Sequence, residues 1–171
     1  MSDNRPTYAA AKSGDAIYVK VRGLGSMHNV PSFEDFAQTA IAEGARQIVL
    51  DLKRCTGVDS TFMGTLLGLH NALGDQHGDD EGVGIVIVNI DDHARNQLTS
   101  VGLDAFMTLT EGKTRLPRKL KLIALDGDSL SDRERLKVMV RVHKALVAAD
   151  PRNEAKFGPF LKGIVAELGS D

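Results

Sequence analysis

Asp59-Ser60-Thr61-Phe62-Met63-Gly64 follows the apolar run Ile48-Val49-Leu50-Asp51-Leu52 and opens a segment in which Met63, Leu66, Leu67 and His70 recur at helical spacing. A strand therefore hands over to a helix here, and the chain presents a short hydroxyl at the junction. Ser60 stands in the expected first turn, where unpaired backbone N–H groups and the positive end of the helix dipole collect. The helix is predicted over Ser60 to Leu73, with Gly74 as its stop. Gly64 and Gly68 lie four apart on one face. Each costs about 1 kcal/mol of helix propensity against alanine, so close packing against a strand or a partner is the expected compensation.

The same alternation extends in both directions. Upstream, Ala16 to Arg22 is β-branched and aromatic and reads as a first strand ending at Gly23, and Gly23 to Asn29 has room for a short second strand. Phe33, Phe36, Ala37, Ala40 and Ile41 then recur at helical spacing, with Ser32 placed to cap and Gly44 to terminate. Gln47 to Leu52 is almost continuously apolar, as in a strand buried on both faces. Downstream, Val83 to Val88 reads as a second central strand. Asp91 or Asp92 caps a helix with Ala94, Leu98 and Val101 on its buried stripe, Gly102 closes it, and Ala105 to Thr110 supplies a last strand. Strands alternating with helices imply an α/β fold with a parallel or mixed sheet, helical cover and right-handed crossovers.

The Asp59-Ser60-Thr61-Phe62-Met63-Gly64 stretch resembles the DSSGLG signature of STAS domains, the family of anti-sigma factor antagonists, and the order of strands and helices over residues 8–111 resembles the STAS fold, which implies a mixed, mostly parallel sheet. Asp59, Ser60 and Gly64 match, Thr61 is a conservative change, and Met63 keeps an apolar residue. Phe62 departs from the pattern, as a core anchor or as an exposed contact. The resemblance implies a regulatory binding module without enzymatic activity or cofactor. Ser60 would be the phosphorylated switch, with Thr61 a secondary acceptor, and Asp59, Ser60, Thr61, Phe62 and Met63 would form the partner surface beside the Gly23 to Asn29 loop. The implied partners are an anti-sigma factor or related serine kinase and a PP2C-type phosphatase. The residues alone leave Ser60 open to another reading, as an N-cap serine worth about 1 kcal/mol to the helix.

A phosphate adds about −1.5 to −2 charge, yet its attraction to a helix N-terminus is worth only about 0.3 to 1 kcal/mol. A near-complete swing between bound and free needs roughly 5.5 kcal/mol. Exclusion of a desolvated phosphate, beside Asp59, from a docked interface outweighs that attraction.

Beyond Gly112 the character changes. Residues 1–111 carry 8 basic and 15 acidic side chains, a net charge of −7, whereas residues 112–171 carry 13 and 8, a net of +5. Residues 112–127 read as a basic linker in which Leu120 to Leu125 can add an edge strand. Residues 128–171 read as a helical hairpin. Ser131-Asp132-Arg133-Glu134 has capping-box spacing, and Leu136, Met139, Val140, His143, Leu146 and Val147 follow on one stripe. Val138, Val142 and Ala145 widen the apolar face, so this helix should contact two surfaces. Asp150-Pro151 ends it. Phe157, Phe160, Leu161, Ile164, Val165 and Leu168 form the second helix, with a bend or fresh start expected at Gly158-Pro159. Such a hairpin must dock on its own domain or on another subunit, which leaves open a homo-oligomer or a phosphorylation-independent scaffold. A small-ligand sensor is a third reading.

The chain has 171 residues and 42% hydrophobic content, enough for a real core. Its single cysteine, Cys55, excludes an internal disulfide and reads as a small buried residue. The polar start Ser2-Asp3-Asn4-Arg5 lacks a signal-peptide pattern and no apolar run approaches the roughly 20 residues of a membrane span, so a cytoplasmic protein is expected. Without tryptophan and with two tyrosines, the basic stretch lacks the stacking groups of a nucleic-acid site. The histidines show no metal spacing, and His77 to Glu81 reads as a solvated turn rather than a cation site. No nucleophile elbow or glycine-rich phosphate loop follows any predicted strand.

Overall fold

A two-residue turn, Gly14-Asp15, with Gly14 at φ +61°, closes the hairpin from which the sheet grows. It joins β1 (Thr7–Ser13) to β2 (Ala16–Gly25) in antiparallel register, Ser13 opposite Ala16 and Thr7 opposite Arg22. The strand expected first is thus the second. β1 precedes it, in the alanine-rich Tyr8 to Ala11 stretch where propensity is poor, and Gly23 to Asn29 holds no separate strand because β2 runs on to Gly25. The computed structural model of the chain describes residues 7–125, 127 and 130–169. The polar Ser2 to Arg5 segment and Asp128, at the expected start of the C-terminal region, lie outside them.

β3 (Gln47–Val58) pairs in parallel with β2 on one side and with β4 (Gly84–Val88) on the other, and β5 (Thr108–Leu109) extends the parallel part. β6 (Ile123–Leu125) adds antiparallel to β1, giving the order β5-β4-β3-β2-β1-β6. Among the described residues the sheet is mixed and mostly parallel and is accompanied by five α-helices. Along β2, Ile17, Val19 and Val21 are buried while Lys20 and Arg22 are exposed, so one face carries the core and the other faces outward. The core face packs Ile48, Leu50 and Ile87 against Phe33 of α1 (Val30–Ala42) and Phe62 and Leu66 of α2 (Ser60–His77).

Helix ends differ in places from expectation. α1 begins at Val30 with Asn29 at the N-cap position, ahead of Ser32, because Pro31 has no N–H to leave unpaired in the first turn. α2 passes through Gly74 and ends at Gly78, φ +72°. His77 justifies the extra turn, with Nε2 2.8 Å from the Ala45 carbonyl. Asp91 caps α3 (Asp92–Ser100), accepting from the Ala94 N–H at 2.8 Å. Gly102, in the left-handed region at φ +83°, leads into a 3-10 turn over Leu103–Ala105, so the last parallel strand is shorter than expected.

The order of strands forces a long crossing. β5 and β6 lie on opposite edges, roughly 24 Å apart for five inter-strand steps, and the basic linker between them spans the sheet. Asn89, a non-glycine residue at φ +56°, pins the crossing: its side chain accepts from the Thr114 N–H at 2.8 Å and donates to the Thr114 carbonyl at 2.9 Å and to Asp51 Oδ1 at 3.0 Å.

The chain then turns back to the helical side. α4 (Asp132–Ala149) starts with the expected capping box, the Glu134 N–H donating to Ser131 Oγ at 3.2 Å and the Ser131 N–H to Glu134 Oε2 at 2.7 Å. It packs on α2, and α5 (Asn153–Gly169) packs on α4. α5 is continuous from Asn153. Pro159 lies inside it and removes one helical hydrogen bond without starting a new helix.

Candidate functional site

The first turn of α2 is built from a sheet irregularity upward. Two register shifts between β2 and β3, at Lys20/Arg22 and Gly23/Leu24, each give β3 one extra residue and twist its end toward the helix start. Asp59 then leaves the strand in an extended conformation and caps α2, its Oδ1 accepting from the Phe62 N–H at 2.8 Å. Its Oδ2 accepts from the Met27 N–H at 3.3 Å, which ties the turn after β2 to the helix start. The cap is therefore Asp59 and not Ser60. Burial raises the Asp59 carboxyl above its ordinary range, against the pull of the Phe62 and Met27 N–H groups and the nearby His143.

Ser60, freed from capping, points its hydroxyl elsewhere. Its Oγ lies 2.7 Å from Nε2 of His143, on α4 and 83 residues away. His143 Nδ1 lies 2.6 Å from the Met139 carbonyl, an acceptor only. Nδ1 therefore carries the proton, and Ser60 donates to Nε2 of a neutral ring. Burial lowers the His143 pKa, opposed by the Met139 bond and the Asp59 charge. Phe157 and Phe160 of α5 meet the ring edge-on at centroid distances of 5.3 and 5.0 Å. Nucleophilic enzymes also pair serine with histidine, but there a carboxylate orients the ring; here a main-chain carbonyl holds that position.

The other residues of the stretch diverge. Phe62 has no exposure and stacks on Phe33, ring centroids 6.2 Å apart, with Tyr8 edge-on at 6.0 Å. It is a core anchor, and the exposed-contact alternative does not hold. Thr61 and Met63 are also buried, and the Thr61 carbonyl accepts from the Thr65 hydroxyl at 2.8 Å. Of the five residues expected at a partner surface, Asp59 and Ser60 are partly buried, and Thr61, Phe62 and Met63 are covered. Ser26 and Met27 border Asp59 and are anchored by Tyr8, whose hydroxyl accepts from the Ser26 N–H at 3.0 Å.

Gly64 lies one turn beyond Ser60, and a Cβ there would stand 2.5 Å from the Val142 carbonyl oxygen and 2.6 Å from the Val142 Cβ. Only glycine lets α2 and α4 approach this closely. Gly68, a further turn along, faces the Arg141 guanidinium, which pairs with Glu34 of α1 at 2.8 Å. The close packing expected of the two glycines is found at Gly64, against α4 of the same chain, whereas a Cβ at Gly68 would meet only the Arg141 guanidinium at 3.9 Å. His143 is the residue that the motif alone misses. Its signal was a single titratable side chain on the otherwise apolar stripe of α4.

A family model for the Mlab, STAS domain matches residues 8–111. The chain belongs to the STAS family. Among solved structures, the anti-sigma factor antagonist SpoIIAA in its unphosphorylated form aligns at 21% identity and a TM-score of 0.51, covering 61% of this chain and 89% of SpoIIAA. An anti-sigma factor antagonist from Mycobacterium paratuberculosis aligns at 19% identity and a TM-score of 0.51, covering 64% of this chain and 90% of its own. These likenesses concern the fold. No curated protein matches the chain. Among the described residues no helix is long and apolar enough to cross a membrane, and no cluster of three or more metal-ligating side chains occurs.

Proposed function

We propose that this STAS protein is a regulatory binding module of the anti-sigma factor antagonist kind, acting inside the cell and switched by phosphorylation of Ser60. The carrying observation is the division of labour at the start of α2: Asp59 makes the cap, so the Ser60 hydroxyl is not needed to hold the helix. A modification there leaves the cap of α2 in place. In the switching step the Ser60 oxygen takes the γ-phosphoryl group of ATP, the bond to the ADP leaving group breaks, and the hydroxyl proton passes to a base of the kinase. The partner is an anti-sigma factor or related serine kinase, and a PP2C-type phosphatase resets the switch. Asp59, Ser60 and the Ser26-Met27 turn form the rim of the docking surface, and Thr61 is the secondary acceptor. Three regions divide the work, residues 8–111 as the binding module, 112–127 as the crossing strap and 128–171 as the helical extension.

The test is incubation of the full chain with the cognate kinase and ATP, followed by peptide mass spectrometry. Phosphate on Ser60 is the expected result, and modification elsewhere with Ser60 untouched overturns the assignment. Ser60→Asp should weaken partner binding at least tenfold with hydrogen exchange of β2–β4 unchanged.

A further inference from the structure

We infer that the α4–α5 hairpin is an intramolecular occupant of the switch surface, so that Ser60 and the adjoining face of α2 become available only when the hairpin lifts. The inference rests on the reading of Ser60 as the switch, and it concerns what covers that residue in the free chain.

Three contacts in sequence along α2 carry it. Ser60 is held by the His143 ring, Gly64 by the Val142 backbone, and Gly68 lies under the Arg141 side chain. The three α2 positions are successive turns of one face, and their counterparts are consecutive residues of α4. A kinase needs the Ser60 oxygen in line with a phosphoryl group, and a partner needs the face around it. Ser60 is partly buried, and with Nε2 at 2.7 Å from Oγ and Phe157 and Phe160 against the ring, the docked hairpin obstructs both.

The same geometry makes closure and phosphorylation mutually exclusive. A phosphate ester on Ser60 would occupy the volume of the His143 ring, beside the Asp59 carboxylate and a histidine held neutral by burial. By linkage, whatever opens the hairpin favours modification, and modification favours the open hairpin. Separability has a structural basis as well. The core cluster of the body takes its large side chains from residues 8–107, and among the described residues of the hairpin Leu146 joins it fully buried, with Ala145, Ala149 and Phe157 partly buried against it. The α5 start adds polar ties, Asn153 Nδ2 donating to the Val101 carbonyl at 3.0 Å and Lys156 Nζ donating to the Ser100 carbonyl. Released helices would stay tethered, because β6 is paired with β1 independently of them.

The test uses hydrogen exchange with mass spectrometry on the full chain, without any partner. Gly64→Ala improves the propensity of α2 while driving a methyl group into Val142. His143→Asp places a carboxylate opposite Ser60 and Asp59 and leaves the body sequence intact. Both should raise exchange in α4, α5 and the first turns of α2 at least tenfold, with β2, β3 and β4 unchanged. Ser60→Glu should do the same. Wild-type exchange in α4 and α5 of both Gly64→Ala and His143→Asp overturns the inference. So does acceleration that spreads equally into β2–β4, since the hairpin would then be an integral part of the fold. The absence of phosphate on Ser60 after kinase treatment would end the switch reading and leave the exchange result standing.

Discussion

Two aromatic clusters meet at the first turn of α2 and differ in what holds them. Tyr8, Phe33 and Phe62 lie inside the body at centroid spacings of 6.0 to 6.2 Å, all with 1% exposure or less. His143, Phe157 and Phe160 lie over Ser60, with Phe160 43% exposed and a titratable ring at the centre. Ser60 and Phe62 share one helical turn yet face different ways, the first to a polar, partly wet contact and the second to a permanent core. Buried apolar rings tie the helix to the sheet. One proton reverses the hydrogen bond between Ser60 and a neutral histidine and leaves a charge in a buried place, one phosphate removes the bond, and that difference separates scaffold from switch.

Removing Phe62 should have the largest effect. Phe62→Ala deletes the middle of the first cluster, for which truncation of a buried phenylalanine costs about 3 to 5 kcal/mol. Urea unfolding should show that loss for the body as a whole. A loss confined to the hairpin, or below about 1 kcal/mol, would show that the ring is not the anchor. Gly25 leaves room for this ring, since a Cβ there would meet Phe62 at 3.2 Å.

Asp59 sits between the two clusters and should have an intermediate effect. Asp59→Ala leaves the Phe62 and Met27 N–H groups without their carboxylate and should cost about 1 to 2 kcal/mol. Asp59→Asn keeps one oxygen for the Phe62 N–H and sheds a buried charge, so its loss should be smaller. Equal losses in the two variants would mean that the Met27 bond, and not the cap, is what Asp59 supplies.

How much of this could be read from the chain follows from sequence distance. β3, β4, α1 and the start of α2 carry strong local patterns, and the DSSGLG-like stretch located the handover from β3 to α2. β1 carries no such pattern: Ala9, Ala10 and Ala11 are poor strand formers, made extended by pairing with Lys20, Val19 and Tyr18. The cap fell one residue early because aspartate and serine are both good caps and stand side by side. Glycines at 64 and 68 announced a close approach, but periodicity cannot name the approaching segment. The contact between Ser60 and His143 joins two helices 83 residues apart, each sensible on its own. Only the histidine on an apolar stripe hinted that the stripe faced something polar.

The smallest expected effect is that of acid on the second cluster. Burial holds His143 below its ordinary value of 6.5 while the hairpin is docked. In the window between the lowered value and 6.5, the undocked state binds more protons than the docked one. Docking is therefore fully stable above 6.5 and weakens as pH falls through that window. Asp59 works in the opposite sense, since burial raises its carboxyl above the ordinary value of 3.8 and favours the docked state as it takes up a proton. Hydrogen exchange of α4 and α5, corrected for the intrinsic pH dependence, should be faster at about pH 5.5 than at about pH 7.5, with β2–β4 unaffected. His143→Gln cannot take up the proton and should abolish the difference. A pH effect that survives this substitution would move the sensitivity away from the ring over Ser60.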